Sequence, residues 1–312
     1  MRVLITGGSG FIGSHLADRL LARGDQVLVI DNYTTGRRDN LKPHANLEIV
    51  EGTIADGALV NRTFAQFQPE LVVHAAAAYK DPHDWAEDSR TNVLGTVHVV
   101  QAAEQAKMRR LIYFQTALGY GLHPQEQPIT LSHPLVLEGS SYAISKTVGE
   151  QYIALSSLDF ISFRLANAYG PRNLSGPLPT FFQRLSSGKK CFVMNTRRDF
   201  IFVDDLVDVV LKALDGLGTR GYYHISSGSD YAIKELFDAT VSALDLTLAE
   251  PVEERERNPD DVFSILLDPS KTNQDFDWKI TTPLVTGVAR AIAYYREYGI
   301  TETYTHLKLD AE

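Results

Sequence analysis

The sequence predicts an α/β fold, in which a doubly wound parallel sheet is followed by a smaller C-terminal α/β domain. Short apolar runs recur at fairly even intervals, and stretches with helical spacing, such as residues 12–22 and 58–67, lie between them. Continuous apolar strands that alternate with helices are typical of a parallel sheet covered on both faces. The predicted strands span residues 3–6, 26–30, 47–50, 71–75, 111–115 and 160–165.

A change of composition predicts a domain boundary near residue 170. A Pro/Gly-rich segment follows Tyr169-Gly170-Pro171, and the elements beyond it are shorter. Two further helices are predicted there, over residues 233–242 and 285–298. We therefore expect a large domain of residues 1–170 that also takes in part of 197–224, and a smaller domain formed mainly by residues 171–312.

Composition excludes several classes of function. Among the 312 residues, Lys+Arg 30 against Asp+Glu 39 gives a net charge of −9, and no long Lys/Arg run occurs, so no nucleic-acid or membrane partner is expected. The first apolar run stops at Gly7-Gly8, before the length of a signal peptide, and no apolar run is long enough to span a membrane. The single cysteine, Cys191, offers no internal disulfide or Cys-rich zinc site and indicates a reducing compartment. We expect a cytoplasmic protein without a metal site.

Three glycines mark a candidate phosphate-binding loop. Gly7, Gly10 and Gly13 directly follow the first predicted strand and open the first predicted helix. Glycines permit a tight turn and let the backbone approach a pyrophosphate, whose charge is met by the free N–H groups of the helix. The alternative is a plain strand-to-helix turn.

The end of the second predicted strand supports a Rossmann-type dinucleotide site. Asp31 stands there, where a carboxylate would accept hydrogen bonds from the adenosine ribose hydroxyls and would repel a 2′-phosphate. This favours NAD over NADP, although Arg37 and Arg38 lie close in sequence and leave the preference open.

A tyrosine and a lysine form a candidate catalytic pair. Tyr142 and Lys146 are four residues apart, so both side chains share one face of a predicted helix. A nearby ammonium and an oxidised nicotinamide both favour the tyrosinate, which could then take a proton from a sugar hydroxyl. Thr116 ends a predicted strand, where a parallel sheet presents its ligands.

These motifs together resemble the extended short-chain dehydrogenase/reductase family, and within it the bacterial nucleotide-sugar epimerases that serve surface polysaccharide and O-antigen synthesis. The match runs almost end to end. The matching segments are residues 7–13, 31–36, 74–77, 92–96, 142–146, 164–172, 198–205 and 268–271.

The resemblance implies a set of residues that bind NAD. It also implies that Lys146 holds the nicotinamide ribose while lowering the pKa of Tyr142, and that Asn92 orders the active-site helix. His74 is interpreted as a structural residue at a strand end rather than as a base. The implied cofactor-binding residues are Gly7, Gly10, Phe11, Ile12, Gly13, Asp31, Asn32, Thr35, Gly36, Thr53, Ile54, His74, Ala75, Ala76, Asn92, Tyr142 and Lys146.

The resemblance also implies catalytic and substrate-binding residues. The catalytic residues are Thr116, Tyr142 and Lys146, and the substrate-binding residues are Thr116, Asn167, Arg198, Arg257 and Asp260. Two positions depart from the family pattern. Thr53 replaces a common aspartate that reads the adenine amine, and Gln115 replaces a small serine.

The resulting hypothesis is an NAD-dependent enzyme that inverts C4 of a nucleotide-linked hexose, UDP-hexose by preference, through a 4-keto intermediate. The alternatives are a 4,6-dehydratase or another nucleotide-sugar oxidoreductase, and, from a different class, a non-catalytic NAD-binding regulator. Residues Ala117-Leu118 follow Thr116 where family dehydratases carry an acid pair, which favours the epimerase.

Two predicted helices, over residues 89–107 and 141–157, suggest a homodimer. Both carry apolar or small residues on more than one side. The excess apolar surface is typical of a helix pair used in dimerisation. The alternative is that both helices simply pack against the sheet. The residues concerned are Val93, Val97, Val100 and Ala103 in the first helix, and Val148, Tyr152 and Leu155 in the second.

Overall fold

The structure, a computed structural model, describes residues 1–257, 261–300 and 302–304. Its strands are β1 (Arg2–Thr6), β2 (Gln26–Asp31), β3 (Leu47–Glu51), β4 (Leu71–His74), β5 (Arg110–Thr116), β6 (Phe160–Leu165), β7 (Asn167–Tyr169), β8 (Phe192–Met194), β9 (Arg197–Arg198), β10 (Phe200–Phe202), β11 (Gly221–Ile225), β12 (Tyr231–Ala232), β13 (Glu253–Arg255) and β14 (Ser264–Ile265). Its α-helices are α1 (Phe11–Ala22), α2 (Gly57–Phe67), α3 (Trp85–Asp88), α4 (Thr96–Ala106), α5 (Ser141–Leu155), α6 (Pro177–Ser186), α7 (Val203–Leu214), α8 (Ile233–Ala243), α9 (Ser270–Asp275) and α10 (Leu284–Tyr298).

A sheet of seven parallel strands forms the centre of the molecule, in the order β11-β6-β5-β4-β1-β2-β3. All six strands predicted from the apolar runs belong to it, and β11 is a seventh that the sequence reading did not single out. Because every pair in the sheet is parallel, the carboxyl ends of all strands meet at one edge.

Both faces of this sheet are buried at β1, β2, β4 and β5, while the edge strand β3 is partly exposed, and this confirms the predicted doubly wound, Rossmann-type fold. Alternate residues of β1 enter different cores, with Val3 and Ile5 on one face and Leu4 on the other. The first core is covered by α1 and α7, which contact each other, and the second by α2, α4 and α5. Near-continuous apolar strands are therefore required on a sheet with no solvent-exposed face.

The smaller α/β part is built from short ladders and helices. β7 pairs with β10, β9 lies between β12 and β14, and β8 pairs with β13. Helix α8 packs against α6 and α10. Two elements beyond the predicted boundary at residue 170 belong to the large domain. Helix α7 packs against α1 and β5, and β11 forms an edge of the large sheet.

The predicted helix over residues 89–107 differs from the structure. Its first part, Ser89–Gly95, is π-helical, and the α-helix begins only at Thr96. The Thr96 hydroxyl donates to the Asn92 carbonyl at 2.7 Å, and the Asn92 side chain is engaged outside the helix. Such widened turns are frequent at functional sites. The predicted helix over 141–157 ends earlier, at Leu155, because the backbone of Ser156 is extended.

Among the described residues, no helix has both the length and the apolar character that crossing a membrane requires.

Candidate active site

Most of the predicted site residues lie at the carboxyl edge of the large sheet. β1 ends at Thr6, β2 at Asp31, β4 at His74 and β5 at Thr116, and these strands pair in parallel. This is the edge where doubly wound sheets bind ligands.

The loop from Gly7 to Gly13 requires glycine because the backbone approaches itself closely there. Gly7 has a φ of +69°, and a Cβ on it would lie 2.7 Å from the backbone of Ala76. A Cβ on Gly13 would collide with the Gly7 carbonyl oxygen. The same carbonyl accepts a hydrogen bond from the Gly10 N–H at 3.1 Å, which closes the turn.

This turn leaves the N-terminus of α1 available to a ligand. Gly10 occupies the cap position and has no side chain, so the first N–H groups of the helix, from Phe11 onward, lack intrahelical acceptors. The buried Ser9 hydroxyl in the same loop has no hydrogen-bond partner among the described residues. Backbone donors, the positive end of a helix and an unsatisfied hydroxyl fit the pyrophosphate of a dinucleotide.

Asp31 is fixed beside this loop. Its carboxylate accepts hydrogen bonds from the Ser9 N–H at 2.9 Å and from the Tyr33 N–H at 2.8 Å. Burial raises the pKa of Asp31, and the two amides act in the opposite direction. Gly36 lies so close that a Cβ there would be 2.8 Å from Asp31 Oδ1. The carboxylate is therefore held rigidly where the ribose hydroxyls are expected.

The two neighbouring arginines are engaged with acids of their own. Arg37 makes two hydrogen bonds with Asp39, at 2.8 and 2.6 Å. Arg38 bonds to Glu51 at 2.6 Å and lies 4.0 Å from the centroid of the Tyr33 ring. Because both guanidiniums already face carboxylates, this geometry favours NAD over a cofactor with a 2′-phosphate.

The remaining residues predicted at the adenosine end divide into loop and core residues. The Asn32 side chain accepts a hydrogen bond from the Thr34 N–H at 3.1 Å within the same loop. Thr35 is partly exposed there. The Thr53 hydroxyl accepts a hydrogen bond from the amide two residues later, at 3.2 Å. Ile54 is only 3% exposed, and its carbonyl bonds to the His98 ring at 3.1 Å. Ile54 is thus a core residue, which leaves its backbone N–H for a cofactor.

His74 is a structural residue, as its position at a strand end indicates. One ring nitrogen bonds to the Thr6 hydroxyl at 2.7 Å, and the other to the Thr96 hydroxyl at 2.9 Å. Burial, aided by the charge of Lys146, holds its pKa well below the ordinary value. Both ring nitrogens are occupied and His74 is fully buried, and its contact with a cofactor stays a prediction. Ala75 and Ala76, which follow it, also bond to Thr6 through their N–H groups.

Asn92 joins the loop after β4 to the helix that carries the predicted catalytic pair. Its side-chain amide accepts from the Ala78 N–H at 2.8 Å and donates to the Ala78 carbonyl at 3.0 Å. It also donates to the Ser145 hydroxyl on α5 at 3.0 Å. Since Ser145 lies between Tyr142 and Lys146, Asn92 is placed to orient both of them.

The predicted catalytic residues lie on β5 and α5. Thr116 ends β5, and its hydroxyl accepts from the Leu118 N–H at 3.2 Å. Lys146 is only 2% exposed, and its ammonium lies 4.0 Å from the centroid of the Tyr113 ring. The half-buried Tyr142 ring has its centroid 6.1 Å from that of Tyr79.

Burial dominates the electrostatics of this pair, and the lowering of the Tyr142 pKa by Lys146 together with the nicotinamide stays a prediction. Burial raises the pKa of Tyr142, and the neighbouring Tyr79 and Asp88 raise it further. Burial lowers the pKa of Lys146 to about 7, against the attraction of Glu150. A lysine with a lowered pKa carries less positive charge at neutral pH, so the positive charge of an oxidised nicotinamide would add to its stabilisation of a tyrosinate.

Thr116 lies on β5 of the large sheet, whereas three of the other predicted substrate residues, Asn167, Arg198 and Arg257, belong to the smaller α/β part. Arg198 donates to the Asp261 carboxylate at 2.8 Å, and Arg257 donates to the Asp261 carbonyl at 2.8 Å. Burial lowers the pKa of Arg198, and Asp261 opposes that effect. Asn167 is exposed, and its N–H bonds to the carbonyl of Asp199, the residue after Arg198, at 2.9 Å. The structure thus brings Asn167, Arg198 and Arg257 together, whereas Asp260 lies outside the described residues.

The family model described as "NAD dependent epimerase/dehydratase family" matches residues 3–225 of this chain. The chain belongs to this family. The match confirms the resemblance that the sequence motifs indicated, and it makes NAD the cofactor of the fold described above.

Solved structures of similar proteins agree with the epimerase/dehydratase assignment. The Bordetella bronchiseptica enzyme WbmH in complex with NAD+ is 57% identical, with a TM-score of 0.93 and coverage of 96% of this chain and 99% of that one. The enzyme WbmG from the same organism, in complex with NAD and UDP, is 45% identical, with a TM-score of 0.92 and coverage of 99% of both chains. A UDP-glucose 4-epimerase of Mycolicibacterium smegmatis is 31% identical over 95% of this chain and 99% of its own length.

One buried network in this epimerase/dehydratase fold was missed by the sequence reading. Glu150 is fully buried and bonds to Arg164 through both carboxylate oxygens, at 3.2 and 2.8 Å. Arg164 also donates to the Tyr120 hydroxyl, which bonds to His224 at 2.6 Å. Glu150 follows Lys146 by the same four-residue step that separates Lys146 from Tyr142, and this spacing was the signal that could have revealed it.

Proposed function

We propose that the protein is an NAD-dependent epimerase that inverts C4 of a nucleotide-linked hexose, UDP-hexose by preference, through a 4-keto intermediate. The proposal is carried by the side chains around Thr116. Tyr142 and Lys146 are both present on α5, while Ala117 and Leu118 follow Thr116. The names of the relatives support the same reaction and nucleotide, because one is a UDP-glucose 4-epimerase and another was solved with UDP.

Tyr142, Thr116 and Lys146 have different roles in the proposed reaction. When bound, NAD supplies an oxidised nicotinamide that accepts a hydride from the sugar and carries a positive charge. Tyr142 takes the proton of the C4 hydroxyl and later returns it. The Thr116 hydroxyl donates a hydrogen bond to the same oxygen. Lys146 holds the nicotinamide ribose and, when protonated, adds charge that favours the tyrosinate.

A dehydratase needs groups that the segment after Thr116 does not offer. Elimination across C5 and C6 requires a base at C5 and an acid at the C6 hydroxyl. Residues Ala117–Tyr120 form one turn of 3-10 helix directly after Thr116, and Ala117 and Leu118 have no side chain that can transfer a proton. Redox chemistry at C4 needs neither group, so the sequence at this turn supports epimerisation.

The test is incubation of the purified protein with UDP-, GDP- and dTDP-hexoses in heavy water, followed by NMR of the products. We expect a sugar inverted at C4, with no deuterium at C5. Deuterium at C5 together with loss of the C6 oxygen would instead establish the dehydratase. In that case the buried Asp88, which bonds to Ser141 at the start of α5, is the carboxyl to replace next.

The nucleotide diphosphate is assigned to the cluster of Asn167, Arg198 and Arg257, with Asp260 at the nucleotide ribose. An acidic protein needs placed guanidiniums to hold two phosphates. Arg198 is largely buried and paired with Asp261, which holds its planar group in one orientation. An Arg198→Lys variant keeps the positive charge but loses the planar guanidinium that can make two parallel hydrogen bonds to a phosphate. We therefore expect its KM for the nucleotide-sugar to rise more than its kcat falls.

We also propose a homodimer formed through α5 and the segment that precedes α4. Val100 and Ala103 of α4 are buried in the core, so those two positions pack against the sheet. The outer positions remain available to a partner. Leu94 is 45% exposed, Ile144 42%, Tyr152 43% and Leu155 82%. Light scattering of the wild type and of Leu155→Glu tests the homodimer. We expect the mass of a dimer for the wild type and the mass of a monomer for Leu155→Glu.

The proposed enzyme serves surface polysaccharide synthesis and is located in the cytoplasm. The resemblance of the sequence motifs to epimerases of surface polysaccharide synthesis supports a role in making lipopolysaccharide or a related polymer. Cys191, the single cysteine, fits a reducing, cytoplasmic location. Deletion of the gene followed by analysis of the surface glycan tests the role, and fractionation of cells tests the location.

A further inference from the structure

The last described residues lie across the molecule as a short strap. We use "C-terminal strap" for Glu302–Tyr304, which come shortly after α10. The Tyr304 N–H donates to the Leu174 carbonyl at 2.8 Å, and the Tyr304 carbonyl accepts from the Gly176 N–H at 2.9 Å. The Thr303 hydroxyl bonds to Gln183 on α6 at 3.1 Å. The strap is therefore fixed to the segment that leads into α6.

The loop after β4 holds the other side of the strap. The Lys80 ammonium lies 3.4 Å from the Glu302 carboxylate and 4.8 Å from the centroid of the Tyr304 ring. Tyr304 in turn donates to Glu302 at 3.0 Å. Tyr79, the neighbour of Lys80, bonds to the Ser175 hydroxyl beside the strap.

The same loop leads directly to the predicted catalytic residues. Asn92 fixes Ala78, the residue before Tyr79, to α5. The ring of Tyr79 packs beside that of Tyr142, with centroids 6.1 Å apart. Residues 78–80 therefore form one short loop segment that contacts the C-terminal strap at Lys80 and is connected to the catalytic helix, through Asn92, at Ala78.

A cavity of about 220 Å³ separates the strap from the loop that surrounds Asp31. Residues 33–37 line one side of it, and Leu174, Glu302 and Tyr304 line the other. Since Asp31 marks the ribose of the adenosine half, the strap stands opposite that half of the dinucleotide cleft.

We propose that the C-terminal strap and Lys80 form a latch over the adenosine half of the cleft, which retains NAD between turnovers. This inference rests on the proposed function. An epimerase must return to the sugar what the cofactor has just accepted, so release of the reduced cofactor in mid-reaction would inactivate the enzyme. Residues 78–80 connect the latch to the catalytic helix through the contacts of Ala78 with Asn92 and of Tyr79 with Tyr142.

The contacts of the latch differ in strength. The Lys80–Glu302 ion pair is exposed, with 39% and 64% of the side chains accessible, and such pairs contribute little. The Tyr304 ring is partly buried, and it combines the contact with Lys80 and the wall of the cavity. Tyr304 is therefore the residue whose loss should open the latch.

The experiment measures how fast bound NADH leaves the purified protein, by its fluorescence, after addition of excess NAD. We expect Tyr304→Ala and Lys80→Ala each to speed release by about three- to ten-fold, the scale of one cation–π contact. The double variant should release NADH little faster than Tyr304→Ala, since both changes remove the same contact. Tyr304→Phe keeps the ring and should release NADH as the wild type does.

Controls separate the latch from folding and from the proposed function. Lys234→Ala removes another surface lysine, which pairs with Asp238 on α8, and it should leave the release rate unchanged. The NAD-free variants should unfold at the same urea concentration as the wild type. Equal release rates for wild type, Tyr304→Ala and Lys80→Ala overturn the latch while leaving the epimerase intact. A wild type that binds no NADH overturns the proposed function itself.

Discussion

Replacing Lys146 by methionine should stabilise the NAD-free protein at acidic and neutral pH, and the gain should shrink as the pH rises. Lys146 is only 2% exposed, and burial lowers the pKa of its ammonium from 10.5 to about 7. Below pH 7 the lysine is charged in both the folded and the unfolded chain, so the whole cost of burying the charge is present. Between pH 7 and 10.5 the folded chain holds the neutral amine, so the cost falls by about 1.4 kcal/mol per pH unit.

The magnitude follows from the two pH units between 7 and 9. The gain in free energy of unfolding from Lys146→Met should be about 3 kcal/mol smaller at pH 9 than at pH 6. Methionine keeps an apolar stem that can pack on the Tyr113 ring, so the comparison isolates the charge. The variant should be inactive at both pH values, since the group that holds the nicotinamide ribose is gone.

Urea unfolding of the NAD-free proteins at pH 6 and pH 9 provides the measurement. The fluorescence of Trp278, which is buried, reports unfolding. Lys234→Met serves as the matched control, because Lys234 is a partly exposed lysine paired with Asp238, and its effect should not change between the two pH values. An equal effect of Lys146→Met at pH 6 and pH 9 would refute the reasoning, because a buried charge must then carry no penalty.

Three further predictions concern catalysis, the cofactor and the core. Tyr142→Phe should keep NAD binding and lose about 100-fold or more in turnover, and Thr116→Ala somewhat less; near-normal turnover of the phenylalanine variant in a coupled assay removes the tyrosine from the mechanism. Asp31→Ala should weaken NAD binding in a titration, and tighter binding of NADP than NAD by the wild type contradicts the ribose assignment. Glu150→Gln leaves the Arg164 charge buried without its partner and should cost about 3–5 kcal/mol in urea unfolding, whereas unchanged stability means that the pair adds nothing.

The fold was predictable from the sequence wherever local pattern and burial agree. The apolar runs of β1, β2 and β4 are continuous because both faces of the sheet are covered there, and enough apolar residues remain in β3, β5 and β6 for the pattern to identify them. β11 was harder, because its sequence Gly221-Tyr222-Tyr223-His224-Ile225 includes a polar histidine. That histidine is fully buried and bonds to Tyr120 and to the Asp268 carbonyl. Hydrogen bonds to residues distant in sequence allow this polar side chain to be buried, and a local sequence pattern does not reveal them.

The candidate site was predictable in its residue types and less so in its electrostatics. Glycines at fixed offsets and a carboxylate at a strand end follow from local geometry, and the structure places them together. The pKa of Tyr142 depends on how deeply α5 is buried and on Tyr79 and Asp88, which approach it from another element. The C-terminal strap depends on a pairing between residues 174–176 and Tyr304. No local pattern carries such distant contacts.

The late position of β11 in the chain has a consequence for how the protein is synthesised. β11 covers the outer edge of β6, and α7, just before it, covers part of the sheet face. A nascent chain that has emerged only to residue 170 therefore presents an open strand edge and bare apolar surface, both of which invite association with other chains. The large domain can close only when the ribosome has released residue 225, by which point α6 and strands β7 to β10 of the smaller part have been made and α8 to α10 have not. Synthesis order thus makes the first segments of the smaller part emerge before the large sheet can be completed, and its remaining helices are added afterwards.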